Sequence, residues 1–588
     1  MQNVYDGFES LQGGMNSAVS PSLIAKNEIA RGVNLDLRSG HARTRKSFIR
    51  NTMTGAAGVV DTIEDGKYQG GYVYQYAGKD YIVFGIFGRI YMLDTETLVV
   101  ADITPAAGIL SPVVDRLFFC QANEYLIIQD GFNRPIIVEG VTARFSTCGS
   151  DPALPEVPVG TIMTFGQGRL FVVVDGKYFM AGDIYLPWQP ERVLQFTETV
   201  YLNGGGAFGL PAWMGNITGM MFQPNVVSGT GLGALVVFAE KGVCSFGVQA
   251  PRTTWNDTDI ARVLYQDGGG TGPASLVSVG SDIFYLGVDG LRSLKVTAIE
   301  SQGSGALLQS LPLSRKVQSL VDDETPWAYQ FASGVVHDNR LYFTSIARQR
   351  KVVNPFGISV DDFYFEGLMT IDLLGLTGQP MLYEGISTGC RFIQVFEVER
   401  FGRKQLVFFG VGSSNEIGFY TREDAVLDNR KSLPECRVYT AAMNFETPSP
   451  LQKRFVYAEL WLSELQGVVD MEVYYRAEGY PLWTKAGGTR FVAKDSDTGE
   501  YNVLTQVRQK IRISDDTNGL APEDSELRNM LVGSKIQFCF SWKGRCQLNR
   551  VLVVAEPLPD ESRTEGNDST LAFELTGSAL MDYNYLVA

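Results

Sequence analysis

The chain has 588 residues, is 45% hydrophobic and 20% charged, and carries a net charge of −15. This composition excludes intrinsic disorder, and the lack of any long basic stripe argues against a free nucleic-acid binder, which needs clustered Lys and Arg to capture phosphates. No run of about 18 apolar residues offers a membrane-spanning helix, and Met1 to Ser10 is too polar and acidic for a secretory signal.

High counts of Gly (63), Tyr (26) and Phe (34) point to many short strands joined by many turns. The seven cysteines, Cys120, Cys148, Cys244, Cys390, Cys436, Cys539 and Cys546, are scattered, with no CxxC pair. They read as reduced thiols of a protein made in a cytoplasm rather than as a disulfide framework. Cys539 and Cys546 are the pair that a hairpin could bring together.

In chain order, residues 1–55 form an N-terminal arm. Pro21 to Arg31 is a short helix candidate behind Ser20 as cap. Arg38, Arg43, Arg45, Lys46 and Arg50 fall close together, either as a solvated strand pair or as arm contacts to an acidic neighbour or to DNA phosphates.

Residues 56–425 carry the main signal, a repeated unit of polar residues, an apolar strand, a Gly-containing turn and a second strand. The units begin at 79, 123, 167, 233, 281, 338 and 404, and several spacings approach the length of a four-stranded propeller blade. One such hairpin cannot bury its apolar face alone, whereas radial stacking buries every face and leaves short edges. The expectation is therefore a mainly β chain with a propeller-like ring of about seven repeats. The pairs Asp130-Gly131, Asp175-Gly176 and Asp289-Gly290 suit tight hairpin turns. Insertions near 184–233 and 347–365 read as excursions towards neighbours, with Trp188, Trp213 and Phe222 as candidate subunit-interface residues. Ser314 to Leu320 is a second short helix candidate.

After residue 426 the strands lengthen and alternate, as in RFVYAELW and KIQFCFSW. Residues 426–588 are thus expected to form a C-terminal antiparallel β-sheet or sandwich.

Chemistry is sparse. His41 and His337 are the two histidines, too few for the common zinc patterns. Gly385-Ile386-Ser387-Thr388-Gly389 matches GxSxG but is followed by a strand rather than the helix of a nucleophile elbow. The Gly-rich stretch from Asp267 to Gly272 lacks a following helix to cradle phosphate and reads as an inter-blade loop. Asp495, Asp497 and Glu500 resemble calcium ligands but depart from the EF-hand order, and read as a solvated acidic turn. No catalytic residue, metal or cofactor is expected.

Three stretches are similar to the tail nozzle, or tail hub, proteins of short-tailed double-stranded DNA bacteriophages. They are the GG…SP…L…NE…RGVN…RTR segment of residues 13–45, the passages ITGMMFQP (217–224), Arg252…Trp255, DIFYLGVDGLRSL (282–294) and LPLSRKVQSL (311–320), and KIQFCFSWKGRCQLNRVLVVAE (535–556). The resemblance implies a virion tail protein in a homohexameric ring below an adaptor, with tail fibres or spikes attached nearby and double-stranded DNA passing through without specific binding. It brings no catalytic residues. Glu64, Asp65, Asp322, Asp323 and Glu324 are candidates for an acidic channel lining that repels phosphates. The rival expectations are a carbohydrate-binding or carbohydrate-cleaving propeller and a monomeric protein-interaction propeller.

Overall fold

The structure is a computed structural model. It describes residues 3–17, 19–148, 155–198, 208–225, 231–249, 252, 255, 261–266, 269–280, 282–287, 290–294, 326–354, 356–373, 381–384, 390–423, 434–446, 451–477, 482–501, 503–513 and 532–557.

Among these residues the chain is nearly all β, and its apolar hairpins stack into a β-propeller of five blades. The first blade consists of Tyr68–Tyr76, Lys79–Ile86, Arg89–Asp94 and Val99–Asp102, with Thr54–Gly55 added at its outer edge. The second runs from Phe118–Ala122 to Thr142–Phe145, the third from Met163–Gly166 to Phe208–Gly209 and the fourth from Ile217–Pro224 to Ala261–Gln266. The fifth has the three strands Val277–Val279, Asp282–Gly287 and Gly290–Ser293.

The seven-repeat expectation is corrected by this count. The hairpins at 338–345 and 404–421 exist as strands but join a 19-stranded sheet instead of standing alone. The reason is strand length. Arg340–Val353 and Ser359–Asp372 each run 14 residues, outgrowing a blade and pairing onward with strands of the large sheet. These strands still complete the circle. Gly334–His337 lies beside Val277–Val279 and Cys390–Arg400, and Cys390–Arg400 lies beside the first blade.

Blade strands read as continuous apolar runs because both of their faces are covered. Ile82 and Phe84 point one way, into a cluster with Val407, Phe409 and Phe419 of the closing strands. Val83, between them, points into a cluster with Leu126, Ile128 and Val138 of the second blade. Ile127 faces the opposite way, onto Leu170 and Val172 of the third blade. Phe171 then meets Phe222, Leu235 and Phe246 of the fourth blade, and Phe238 of that blade packs on Tyr285 of the fifth. Period-two alternation thus ties each blade to both neighbours.

The rest of the chain is one long antiparallel assembly. Lys453–Ala477 pairs along most of its 25 residues with Ile536–Pro557, and successive bulges bend both strands around a core that includes Phe455, Leu460, Phe540 and Trp542. Thr484–Ala493 and Thr505–Arg512 flank it.

Residues 1–55 are woven into this sheet rather than forming a free arm. Val4–Phe8 and Ala42–Thr44 pair with Ile536–Pro557, Glu28–Val33 pairs with Glu435–Thr440, and Ser47–Asn51 becomes the outer partner of Ile417–Glu423. The helix expected over Pro21 to Arg31 is absent. Turns fill its first half, and Glu28–Val33 is a strand because cross-strand pairing outweighs local helix propensity. The one α-helix among the described residues is Val59–Glu64. Ser314 to Leu320 lies outside the described residues.

Six cysteines are free thiols. Cys539 and Cys546 occupy the same strand, Ile536–Pro557, so no hairpin brings them together. No helix among the described residues is long and apolar enough to cross a membrane.

Candidate functional site

Inner strands of the blades and of the closing hairpins surround a channel with a cavity of about 600 Å³, walled by residues from Gly70 in the first blade round to Glu397 in the closing sheet. A second, more open cavity of about 790 Å³ shares Arg116, Phe118, Ile162 and Pro273 with it. This mouth is built by the segments that lead into successive inner strands: Ser111 to Arg116, Thr161, Asn216, Thr271 to Pro273, and Gln330. Thr271 and Gly272 of the Gly-rich stretch line it, and Asp267 and Gly268 lie outside the described residues. A Cβ on Gly269 would collide with the Ala239 carbonyl oxygen, and one on Gly272 with that of Gln330, so two chain crossings at the mouth depend on glycine.

Electrostatics at the mouth are fixed by the backbone. Asp130 accepts hydrogen bonds from the amides of Ser111 (2.8 Å), Phe132 (2.8 Å) and Asn133 (2.7 Å). Burial pushes its carboxyl up, but these donors prevail and hold it below the usual carboxylate range. The turn at Asp130-Gly131 is therefore an Asx turn, with Gly131 at φ 82°. Lys67, buried, pairs with Asp115 at 2.6 Å. Arg116, next in sequence, has no carboxylate partner among the described residues. It donates to the Gln330 carbonyl and stands 5.9 Å from the Phe118 ring centroid. Burial pulls the guanidinium down to about 10, leaving it cationic at neutral pH.

The ring seam is clasped by Gln394. Its Oε1 accepts from the Tyr68 hydroxyl and the Gly71 amide, each at 2.9 Å, while its Nε2 donates to the Gly71 carbonyl at 2.9 Å. Within the channel, Glu397 lies 3.2 Å from both His337 Nδ1 and Lys404 Nζ. Burial alone would raise the Glu397 carboxyl, but those two partners lower it.

The residues singled out from sequence fall elsewhere. Phe222 is 5% exposed in the core between the third and fourth blades, which corrects its reading as an interface residue. The alternation of ITGMMFQP carried that signal. Trp188 is 74% exposed and Trp213 is 44% exposed. Parts of the 184–233 insertion are blade, since Phe208–Gly209 finishes the third blade and Ile217–Pro224 opens the fourth. The 347–365 insertion is the far half of the Arg340–Val353 and Ser359–Asp372 hairpin.

The N-terminal cations are engaged within the chain. Arg38 binds Asp372 (2.6 Å) and Asp338 (3.0 Å), and Arg43 binds Glu464 (3.2 Å). Arg45 donates to Asn34 and lies 4.0 Å from the Phe48 ring centroid. Arg50 bridges Glu64 (2.8 Å) and Glu416 (2.7 Å). Lys46 is exposed. Glu64 is thus paired at the end of its helix, and Asp65 is the exposed C-cap. Neither lines the two cavities. Asp322, Asp323 and Glu324 lie outside the described residues, as do residues 385–389 of the GxSxG match.

Asp495 closes a turn by accepting from the amides of Asp497 and Thr498, each at 2.8 Å. Among the described residues no group of three or more His, Cys, Asp or Glu is placed to hold a metal. Sequence reasoning missed the cluster of Lys67, Asp115, Arg116 and Gln394. The available signal was the charged pair Asp115-Arg116 directly ahead of the apolar strand LFFC.

No family model matches the chain, and no curated protein matches it. Solved structures that resemble it include YCF48 bound to D1 peptide (10% identity, 66% of this chain and 97% of that one, TM-score 0.34). Another is BamB from Moraxella catarrhalis (11% identity, 64% and 97%, TM-score 0.30). A third is Raptor from Chaetomium thermophilum (10% identity, 66% and 29%, TM-score 0.35). The chain is a β-propeller protein with a large appended antiparallel sheet.

Proposed function

We propose that the chain is a structural subunit of a short-tailed phage tail, a homohexameric nozzle that extends the DNA ejection channel and supports fibres or spikes. The observation that carries this reading is a set of apolar side chains held out on long projections. Val353, Phe356 and Ile358, at 64%, 72% and 61% exposure, cap the 14-residue hairpin, and Leu482, Val492 and Leu504 stand exposed around the ends of the flanking strands of the C-terminal sheet. Neighbouring copies would cover such tips in a closed ring.

The sequence resemblance supplies the class, with adaptor proteins and transient double-stranded DNA as further partners, a site in the virion tail and synthesis in the host cytoplasm. Six copies at −15 each bring about −90 formal charges, a sign that suits DNA sliding without capture. Light scattering and negative-stain imaging of the full chain test the reading. Sixfold rings are the expected result, and a monomer at tens of micromolar that cleaves polysaccharide would overturn it.

One observation favours a second reading, carbohydrate binding. The mouth cavity combines Phe118, Phe132 and Phe331 with Asp115, Arg116 and Glu240.

A further inference from the structure

We infer that the mouth cavity of the propeller is a binding site for a carboxylated sugar, such as a short uronic-acid oligosaccharide, with Arg116 receiving the carboxylate. The inference rests on the second, carbohydrate reading of this cavity and is independent of the nozzle assembly.

Arg116 is the first observation. Arg116 lines the cavity and donates to the Gln330 carbonyl, and among the described residues no carboxylate pairs with it. Asp115, beside it in sequence, is engaged by Lys67. A half-buried guanidinium without a carboxylate neighbour is open to an anion, and its planar fork suits a carboxylate. The second observation is independent. The Thr218 hydroxyl, in the wall of the same cavity, is buried with no hydrogen-bond partner among the described residues. Buried polar groups left unpaired in this way mark places where a ligand or water supplies the missing bond.

Charge decides which anion fits. Asp115, Asp130 and Glu240 also line the cavity. A compact dianion such as phosphate would meet these carboxylates as well as the single guanidinium. A monoanionic carboxylate spread on a hydroxylated body meets one cation, and its hydroxyls can donate to Glu240 and Asp115. Phe118 and Phe331 line the cavity and supply apolar surface beside it. At about 790 Å³ the cavity lies within the roughly 300–1,000 Å³ typical of small-molecule sites.

The test is calorimetric titration of the full chain with digalacturonate, a neutral galactose disaccharide and inorganic phosphate. Saturable binding of digalacturonate is expected, at least tenfold tighter than the neutral sugar. Arg116→Met should weaken it at least tenfold, Arg116→Lys less, and Thr218→Val several-fold, with circular dichroism unchanged. If Arg116→Met fails to fold, Glu240→Gln at the exposed rim serves in its place and should weaken binding several-fold. No saturable binding, equal binding of the neutral sugar, or phosphate binding as tightly as the sugar acid would each overturn the inference. Particle mass measured on the same preparation separates the two proposals, since intact rings without sugar binding defeat this one alone.

Discussion

The hydroxyl of Thr44 ties residues 1–55 to the C-terminal sheet, and its removal offers a sharp test of that packing. Thr44 Oγ1 accepts from Trp542 Nε1 at 2.9 Å and from the Cys546 amide at 3.1 Å, and donates to the Gly544 carbonyl at 2.8 Å. Trp542 is 1% exposed and Cys546 is 0% exposed. Thr44→Val keeps the shape and removes the oxygen, leaving two buried donors without that acceptor. At about 1–3 kcal/mol for each unsatisfied buried group, the expected loss is roughly 2–6 kcal/mol. Thr44→Ser keeps the hydroxyl, deletes one methyl, and should cost about 1 kcal/mol. Guanidinium unfolding followed by tryptophan fluorescence measures both, and hydrogen exchange over 536–557 localises the effect. If the Val variant unfolds within about 0.5 kcal/mol of wild type, the hydroxyl is not the tie described.

Four further outcomes are expected. Asp36 accepts from Arg340 Nη2 at 2.8 and 3.0 Å; burial raises its carboxyl, but Arg340 and the Arg38 amide outweigh that and lower it. Its stabilising effect is therefore present above about pH 4 and lost as pH falls through the depressed value, so the stability gap between wild type and Asp36→Asn should close on acidification. A gap that persists or widens at low pH contradicts the pairing. Gly269→Ala, which drives a Cβ into the Ala239 carbonyl, should cost about 3 kcal/mol and expose the fourth and fifth blades to limited proteolysis. Burial lifts the thiols of Cys120, Cys436 and Cys539 to about 12, so among the six cysteines whose side chains are described a disulfide reagent at pH 8 should label Cys148 first, as read by peptide mass spectrometry. Phe356→Ser with Ile358→Ser should leave the melting temperature nearly unchanged while abolishing ring formation in light scattering.

Local periodicity made the blades legible. The run KDYIVFGIFGRIYMLD is two strands, Lys79–Ile86 and Arg89–Asp94, because each must bury both faces. Partner choice was not legible. Residues such as Glu28–Val33 alternate weakly, and nothing local says that their partner is Glu435–Thr440, some four hundred positions away. The same blindness turned Arg38, Arg43 and Arg50 into outward contacts, because the carboxylates that neutralise them are supplied by distant elements. At the mouth, Arg116 was passed over because one Arg before a strand is ordinary; its significance comes from the cavity that distant segments close around it.

The pairing of Val4–Phe8 and Ala42–Thr44 with Ile536–Pro557 has a consequence for biosynthesis. A ribosome releases the earliest strands hundreds of residues before their partner exists. Those segments must wait, with unsatisfied amides and greasy side chains, while the blades assemble behind them. Maturation should therefore be slow and prone to aggregation during translation, completing only when nearly the whole polypeptide has emerged.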